Sequence, residues 1–272
     1  MNITAASQLT TQLNQHVAWK TFSALFARDV RVARRNIVTT ILQTMLQPLL
    51  FVFVFGQVMT RSGMMNASYK GMLLPGIMAI SMTMTGVMAV AMPLIAEFQF
   101  TKEIEDRLLA PIRIEWIAVE KMLAGILQAL VSGAIVAIPA RLLLGSDLHL
   151  STEHLGLFFT IAFLVALFSA AGGLTLGCSV GQTQIGLVFS LVLAPMVMFG
   201  CAYYPWKALE SFPILQKVVL LNPLVYASEG LRGTLAPVYP HMPPMVVIVV
   251  LGAIDTVLVV AALARFRSKA VS

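Results

Sequence analysis

Asp255 is the clearest ionisable residue set deep inside an apolar run, with Val257, Leu258, Val259 and Val260 following it and Val249, Val250 and Leu251 ahead of it. An acid in hydrocarbon is costly, and where one persists it serves a proton or ion path or bonds to another group in the protein. Two readings are therefore open for Asp255: a proton site, or a structural bond to Thr256 or a neighbouring helix. The other chemistry-bearing residues do not converge. His16 lies far from His149, His154 and His241, so the sequence offers no metal-ligand cluster. A Gly-x-x-x-x-Gly-Lys-Ser/Thr phosphate loop and a His-Glu-x-x-His helix are both absent. Cys178 and Cys201 are expected near opposite ends of their spans, too far apart for a disulfide, and each reads as a small packing residue. No catalytic residue, cofactor site or metal site is assigned to the chain.

The elements that must hold these residues are membrane helices. Of 272 residues, 58% are hydrophobic and 11% charged, and mean hydropathy is +0.87. A soluble domain carries about 25% charged residues. Composition therefore excludes a soluble globular enzyme, a disordered chain and a collagen-like repeat. A helix needs roughly 20 apolar residues to cross a ~30 Å hydrocarbon core. Six stretches qualify, at 38–60, 72–96, 122–144, 155–178, 185–204 and 245–264. Period-2 alternation is absent, which argues against a barrel. The expected fold class is all-α: six transmembrane helices behind an N-terminal segment (1–37), with a short tail (265–272). The first long apolar run begins only near Val38, so that span is expected to be retained rather than cleaved.

Lys and Arg set the orientation. Twelve of them flank the cytoplasmic ends of these spans: Lys20, Arg28, Arg31, Arg34, Arg35, Lys102, Arg107, Arg113, Lys121, Arg265, Arg267 and Lys269. Six lie on the other side. Both termini are then cytoplasmic, in a multi-pass cell membrane protein. The net charge of +6 records this topology and calls for no nucleic-acid partner, because the basic residues form no dense stripe. All five tyrosines fall at or beyond the outer ends, where amphipathic rings anchor at headgroups.

Three polar segments carry further signals. Residues 13–36 form an amphipathic helix, with Trp19, Phe22, Phe26, Val30 and Ala33 on one arc and Arg28, Arg31 and Arg35 opposite. Such a helix is expected to lie along the inner leaflet against membrane lipid. In the loop 97–121, Thr101 is placed to cap a short helix bearing Glu103, Glu105 and Asp106, which Pro111 ends. A loop of this length with a capped helix points to a docking surface. The outer segment 205–244 holds two half-helices around Asn222-Pro223, expected as a re-entrant element, with an interfacial hairpin as the alternative. Within the spans, Ser169, Gly173, Gly177 and Gly181 form a small-residue stripe for close helix approach. Met78, Met82, Met88 and Met92 form an adaptable apolar face.

Together these features resemble the ABC-2 type family of ABC exporter permeases. The likeness rests on Gly71-Met-Leu-Leu-Pro75-Gly76 before span two, Glu105-Asp-Arg-Leu-Leu-Ala-Pro111 after it, and Asn222-Pro-Leu-Val-Tyr226 with Glu229 and Arg232 before span six. It covers almost the whole chain and looks closest to the drug and lipo-oligosaccharide exporter branch. It implies a permease subunit in a bacterial inner membrane, paired with a second copy as a homodimer and with two copies of an ABC ATP-binding subunit that hold ATP and Mg. It implies ATPase coupling through Glu103, Glu105, Asp106 and Arg107. It implies an outer gate at Asn222, Pro223, Tyr226, Glu229 and Arg232. The cargo would be a drug, lipid or lipid-linked glycan, exported by alternating access. The alternative is a proton-coupled secondary transporter acting through Asp255.

Overall fold

The computed structural model describes residues 3–35, 46, 49–64, 69–109, 113–144 and 154–271. The described residues are helical, with no strand among them. Helix α1 covers Ile3–Arg35 and α2 Leu49–Arg61, with a π-helical stretch at Val52–Val58. Helix α3 covers Tyr69–Ala96 and runs on as a π turn through Glu97–Thr101. Then come α4 (Glu103–Leu108), α5 (Ile114–Leu144), α6 (Leu155–Ser179) and the shorter α7 (Ile185–Met198). After it come α8 (Pro213–Val218) and α9 (Pro223–Leu235), followed by α10 (Pro244–Val271).

Four of these helices, α3, α5, α6 and α10, are long and apolar enough to cross a membrane. They coincide with the expected second, third, fourth and sixth spans. The expected fifth span is shorter than its 185–204 bounds: helix stops at Met198, and Phe199–Tyr204 form a turn that feeds the outer segment. Most of the first half of the expected first span lies outside the described residues, as does Pro111.

Helix α3 is the hub. It packs on α5, α6 and α9, and its apolar stretch is the most enclosed of the four spans. Small residues make this approach close. A Cβ on Gly173 of α6 would sit 2.5 Å from the Val87 carbonyl oxygen of α3, and one on Gly177 would press on Ala91 and Leu94. In lipid, where apolar contact with a neighbour competes with equally apolar tails, such backbone-level packing is what holds helices together. The stripe ends at Gly177, because α6 stops at Ser179 and Gly181 lies in the turn beyond. Polar contacts add to the α3–α5 seam. Ser81 and Ser132 share a hydrogen bond at 2.6 Å, and Thr85 donates to Ser132 at 2.8 Å, all three buried. Met78 and Met82 belong to this core, whereas Met88 and Met92 face an apolar crevice formed with Leu176, Ile185, Val188 and Leu193.

Candidate functional site

At one end of the helix bundle, five charged side chains from four segments meet. Asp29 comes from α1, Glu97 from the π turn after α3, Arg107 from α4, and Glu120 and Lys121 from α5. Arg107 contacts Asp29 at 2.8 Å, Glu97 at 3.2 Å and Glu120 at 3.4 Å. Lys121 contacts Asp29 at 2.8 Å and Glu97 at 2.5 Å. Arg107, Glu97, Glu120 and Lys121 are buried, so the attractions act in low dielectric rather than in water. Burial alone would push the Asp29 carboxyl up. The Lys121 ammonium and the Arg107 guanidinium outweigh that and hold it below the usual carboxylate range. Burial likewise works to lower Arg107, and Glu97, Asp29 and Glu120 overcome it and raise the group. A sixth contact, Arg28 with Glu103, joins α1 to the start of α4 at the surface.

Local sequence explains how the loop enters this cluster. Lys102 takes a left-handed conformation (φ 51°) that stops the π turn, and Thr101 Oγ1 accepts the Glu103 amide at 3.5 Å as α4 begins. Arg107 then points inward, while Glu103 is half-buried at the surface. Nothing is described for the side chains of Glu105 and Asp106. Of the residues of the expected arc on α1, Phe22 is buried, Phe26 is half-buried and Trp19 is 64% exposed, while Arg28, Arg31 and Arg35 are exposed. Phe22 meets Trp116 (ring centroids 5.6 Å apart) and Asp29 meets Lys121, so the contacts advance in the same direction along α1 and α5.

The Asn222–Arg232 motif forms a second buried polar site. Asn222 caps α9, accepting the Leu224 amide at 3.0 Å and donating to Met196 O at 2.7 Å. Pro223 occupies the first turn, where its missing N–H costs nothing. The Tyr226 hydroxyl donates to Leu220 O at 2.9 Å. Glu229 and Arg232, both wholly buried, form an ion pair one turn apart. Arg232 also donates to Cys201 O at 2.8 Å, and Glu229 accepts the backbone amides of Trp206 and Met242 at 2.9 Å each. One pair thus fastens the turn after α7, the Trp206 segment and the start of α10 to α9. Cys201 presents its carbonyl from a left-handed conformation (φ 51°). The Pro75-Gly76 step of α3 lies against the same turn: a Cβ on Gly76 would come within 1.8 Å of Ala202 O.

With the two sites in view, the chain can be set beside known proteins. A profile of the ABC-2 type transporter family matches residues 20–236, from within α1 to the end of α9. The chain belongs to the ABC-2 type transporter family. This permease is 26% identical over 219 residues to the inner membrane transport permease YadH of Escherichia coli (strain K12), covering 80% of this chain and 83% of that protein. The same identity and coverage hold for YadH of Shigella flexneri. It is a membrane transport permease, as its sequence led us to expect.

Asp255 lies apart from both polar sites. It is 3% exposed on the α10 face that packs inward, and neither carboxylate oxygen has a hydrogen-bond partner among the described residues. The expected bond to Thr256 does not form. Thr256 donates instead to Gly252 O at 2.8 Å, because a helical threonine hydroxyl reaches the carbonyl one turn back. Cys178 and Cys201 are both buried and free. Among the described residues no three His, Cys, Asp or Glu side chains gather as metal ligands. Sequence reasoning singled out Arg107 but passed over Asp29, Glu97, Glu120 and Lys121. Their signal was isolated charge bordering apolar runs, and only the fold shows that the four segments converge.

Proposed function

We propose that the chain is the transmembrane subunit of an ATP-driven ABC exporter, with six spans and both termini in the cytoplasm of a bacterial inner membrane. It would act as a homodimer with two ABC ATP-binding subunits, which bind ATP and Mg. The cargo is a hydrophobic or amphipathic molecule, such as a drug, a lipid or a lipid-linked glycan. The observation that carries this reading is the Arg107-centred cluster. A short helix displayed on the cytoplasmic side is bonded rigidly to the ends of α3 and α5, so a push on it moves those spans as one body. In this reading Glu103, Glu105 and Asp106 meet the ATPase, and Arg107 transmits the displacement. The methionine-lined crevice between α3 and α7 offers adaptable apolar surface to the cargo. The segment held by Asn222, Pro223, Tyr226, Glu229 and Arg232 closes the outer end and yields on export.

The test is isolation of the chain from its native membrane. The reading expects an ABC ATPase to accompany it and the chain alone to hydrolyse no ATP. Recovery with no ATPase, and full transport without ATP, would overturn it. The Asp255 carboxyl, without a hydrogen-bond partner among the described residues, favours the competing reading of a proton-driven carrier. There, Asp255→Asn abolishes uptake driven by a proton gradient, whereas the exporter reading expects ATP-dependent transport to survive the change.

A further inference from the structure

The cluster around Arg107 does not balance. Asp29, Glu97 and Glu120 bring three carboxylates to two cations, Arg107 and Lys121. Three of its polar atoms are buried without a hydrogen-bond partner among the described residues. Glu97 Oε2 and Glu120 Oε1 are acceptors, and Arg107 Nε is a donor. The cluster is thus short of one donor and carries one excess negative charge. A single proton on a carboxylate removes both deficits. Buried acceptors and charges left unmatched are costly, so the site favours taking that proton.

Geometry selects Glu120 as its holder. Asp29 and Glu97 each touch both cations. Glu120 is wholly buried, and its contact with Arg107, at 3.4 Å, is the longest in the cluster. Burial, aided by Asp29, pushes its carboxyl up to about 7, against the pull of Lys121 and Arg107, and Glu97 adds to the rise. Charges elsewhere do not offset this. Helix α6 carries none, Arg61 of α2 and Arg265, Arg267 and Lys269 of α10 are exposed, and Lys70 stands at the far end of α3. On α5 itself, Glu115 pairs with Arg113.

Helix α1 is the element that feels the change. The Asp29 side chain is the most exposed of the five, at 16% against 9% or less. An ionised Glu120 opposes Asp29 across the cations they share. Asp29 can retreat toward water as α1 lifts, whereas Glu97 is held by the π turn that continues α3.

We propose that Glu120 is a proton-binding site that sets the grip of α1. Protonated, it completes the cluster and locks Asp29 onto Arg107 and Lys121; ionised, it repels Asp29 and loosens α1 from α5. The site answers to pH on the membrane face that bears the cluster. It goes beyond the exporter reading and does not depend on it, since every contact lies within this chain. The closed arrangement holds the proton more tightly than the open one. Attachment of α1 therefore weakens as pH rises from the ordinary glutamate value of 4.5 to about 7, and is level above that.

Hydrogen exchange across residues 20–35 of the full chain in nanodiscs, where both faces meet one buffer, tests this at pH 5 and pH 8. After correction for the intrinsic rate, wild type is expected to be several-fold better protected at pH 5. Glu120→Gln, whose amide supplies a donor and no charge at either pH, is expected to match the pH 5 wild type at both. Equal protection of wild type at the two pH values overturns the inference without any variant. A Glu120→Gln chain that loses protection in step with wild type also overturns it, and assigns the response to another group.

Discussion

Replacing Arg107 with Gln would leave Asp29, Glu97 and Glu120 gathered around Lys121 alone. Breaking a buried charge pair from one side costs about 3–5 kcal/mol, because the remaining charges stay buried. Asp29→Asn is the milder change, since Glu97 and Glu120 still face the two cations, and about 1–2 kcal/mol is expected for the lost charged hydrogen bonds. Thermal unfolding of the purified chain in detergent checks the order: Arg107→Gln well below Asp29→Asn, and Asp29→Asn modestly below wild type. The pH response of the α1 attachment follows from the same carboxyl. The folded Asp29 titrates lower than an unfolded aspartate, so its contribution is complete above the unfolded value near 3.8 and is lost as pH falls through the lower folded value. Burial, aided by Asp29, pushes the neighbouring Glu120 carboxyl up to about 7, so it takes up a proton between pH 8 and pH 5 and relieves the cluster. Protection from hydrogen exchange across residues 20–35, corrected for the intrinsic rate, should therefore hold or rise from pH 8 to pH 5 and fall only under stronger acid. A loss of protection between pH 8 and pH 5 would assign the attachment to another group. At Cys201, whose backbone is left-handed, Cys201→Gly should be tolerated or mildly stabilising. Cys201→Val should destabilise by roughly 1–3 kcal/mol, because a branched Cβ resists that conformation. Thermal unfolding of the two variants reads the difference.

At the scale of elements, long apolar runs were the most legible part. Both ends of α6 and the start of α10 fall within one residue of the expected bounds, since a continuous run of apolar residues permits little else in lipid, whereas α10 continues seven residues past the expected end at 264. Short helices around Asn222-Pro223 were legible too, because a capping side chain followed by proline is a local signal. The break after Met198 was not, for the apolar run continues into Cys201 and the left-handed turn there answers to Arg232, 31 residues away. The charge cluster was invisible for the same reason: Asp29 and Lys121 are 92 residues apart. Even so, the glycines before span two carried more than their role in the resemblance. Gly76 admits the Ala202 carbonyl against α3, so Gly76→Ala forces the outer turn away from the helix. It should lower thermal stability by at least ~2 kcal/mol, in line with overpacking of a tight contact. Gly172→Ala, where an added Cβ meets nothing within 4 Å, should be neutral or slightly stabilising.

Over the whole molecule, polar structure is divided between two ends joined by α3. The Arg107 cluster grips the end of α3 at Glu97, and the turn held by Glu229 and Arg232 presses on its first half at Gly76. Between them runs the most enclosed helix of the four. This arrangement fits a permease in which force enters at one face and is felt at the other, with small-residue seams keeping α3, α5 and α6 together as they move. In the proposed exporter an external ATPase drives this body through α4. ATP hydrolysis by the copurified complex in nanodiscs, compared between the wild-type chain and Glu105→Lys with Asp106→Lys, tests it most directly. Wild type is expected to stimulate hydrolysis by its partner, and charge reversal is expected to abolish that stimulation while the chain remains folded and monodisperse. Equal stimulation by the two chains would contradict the account.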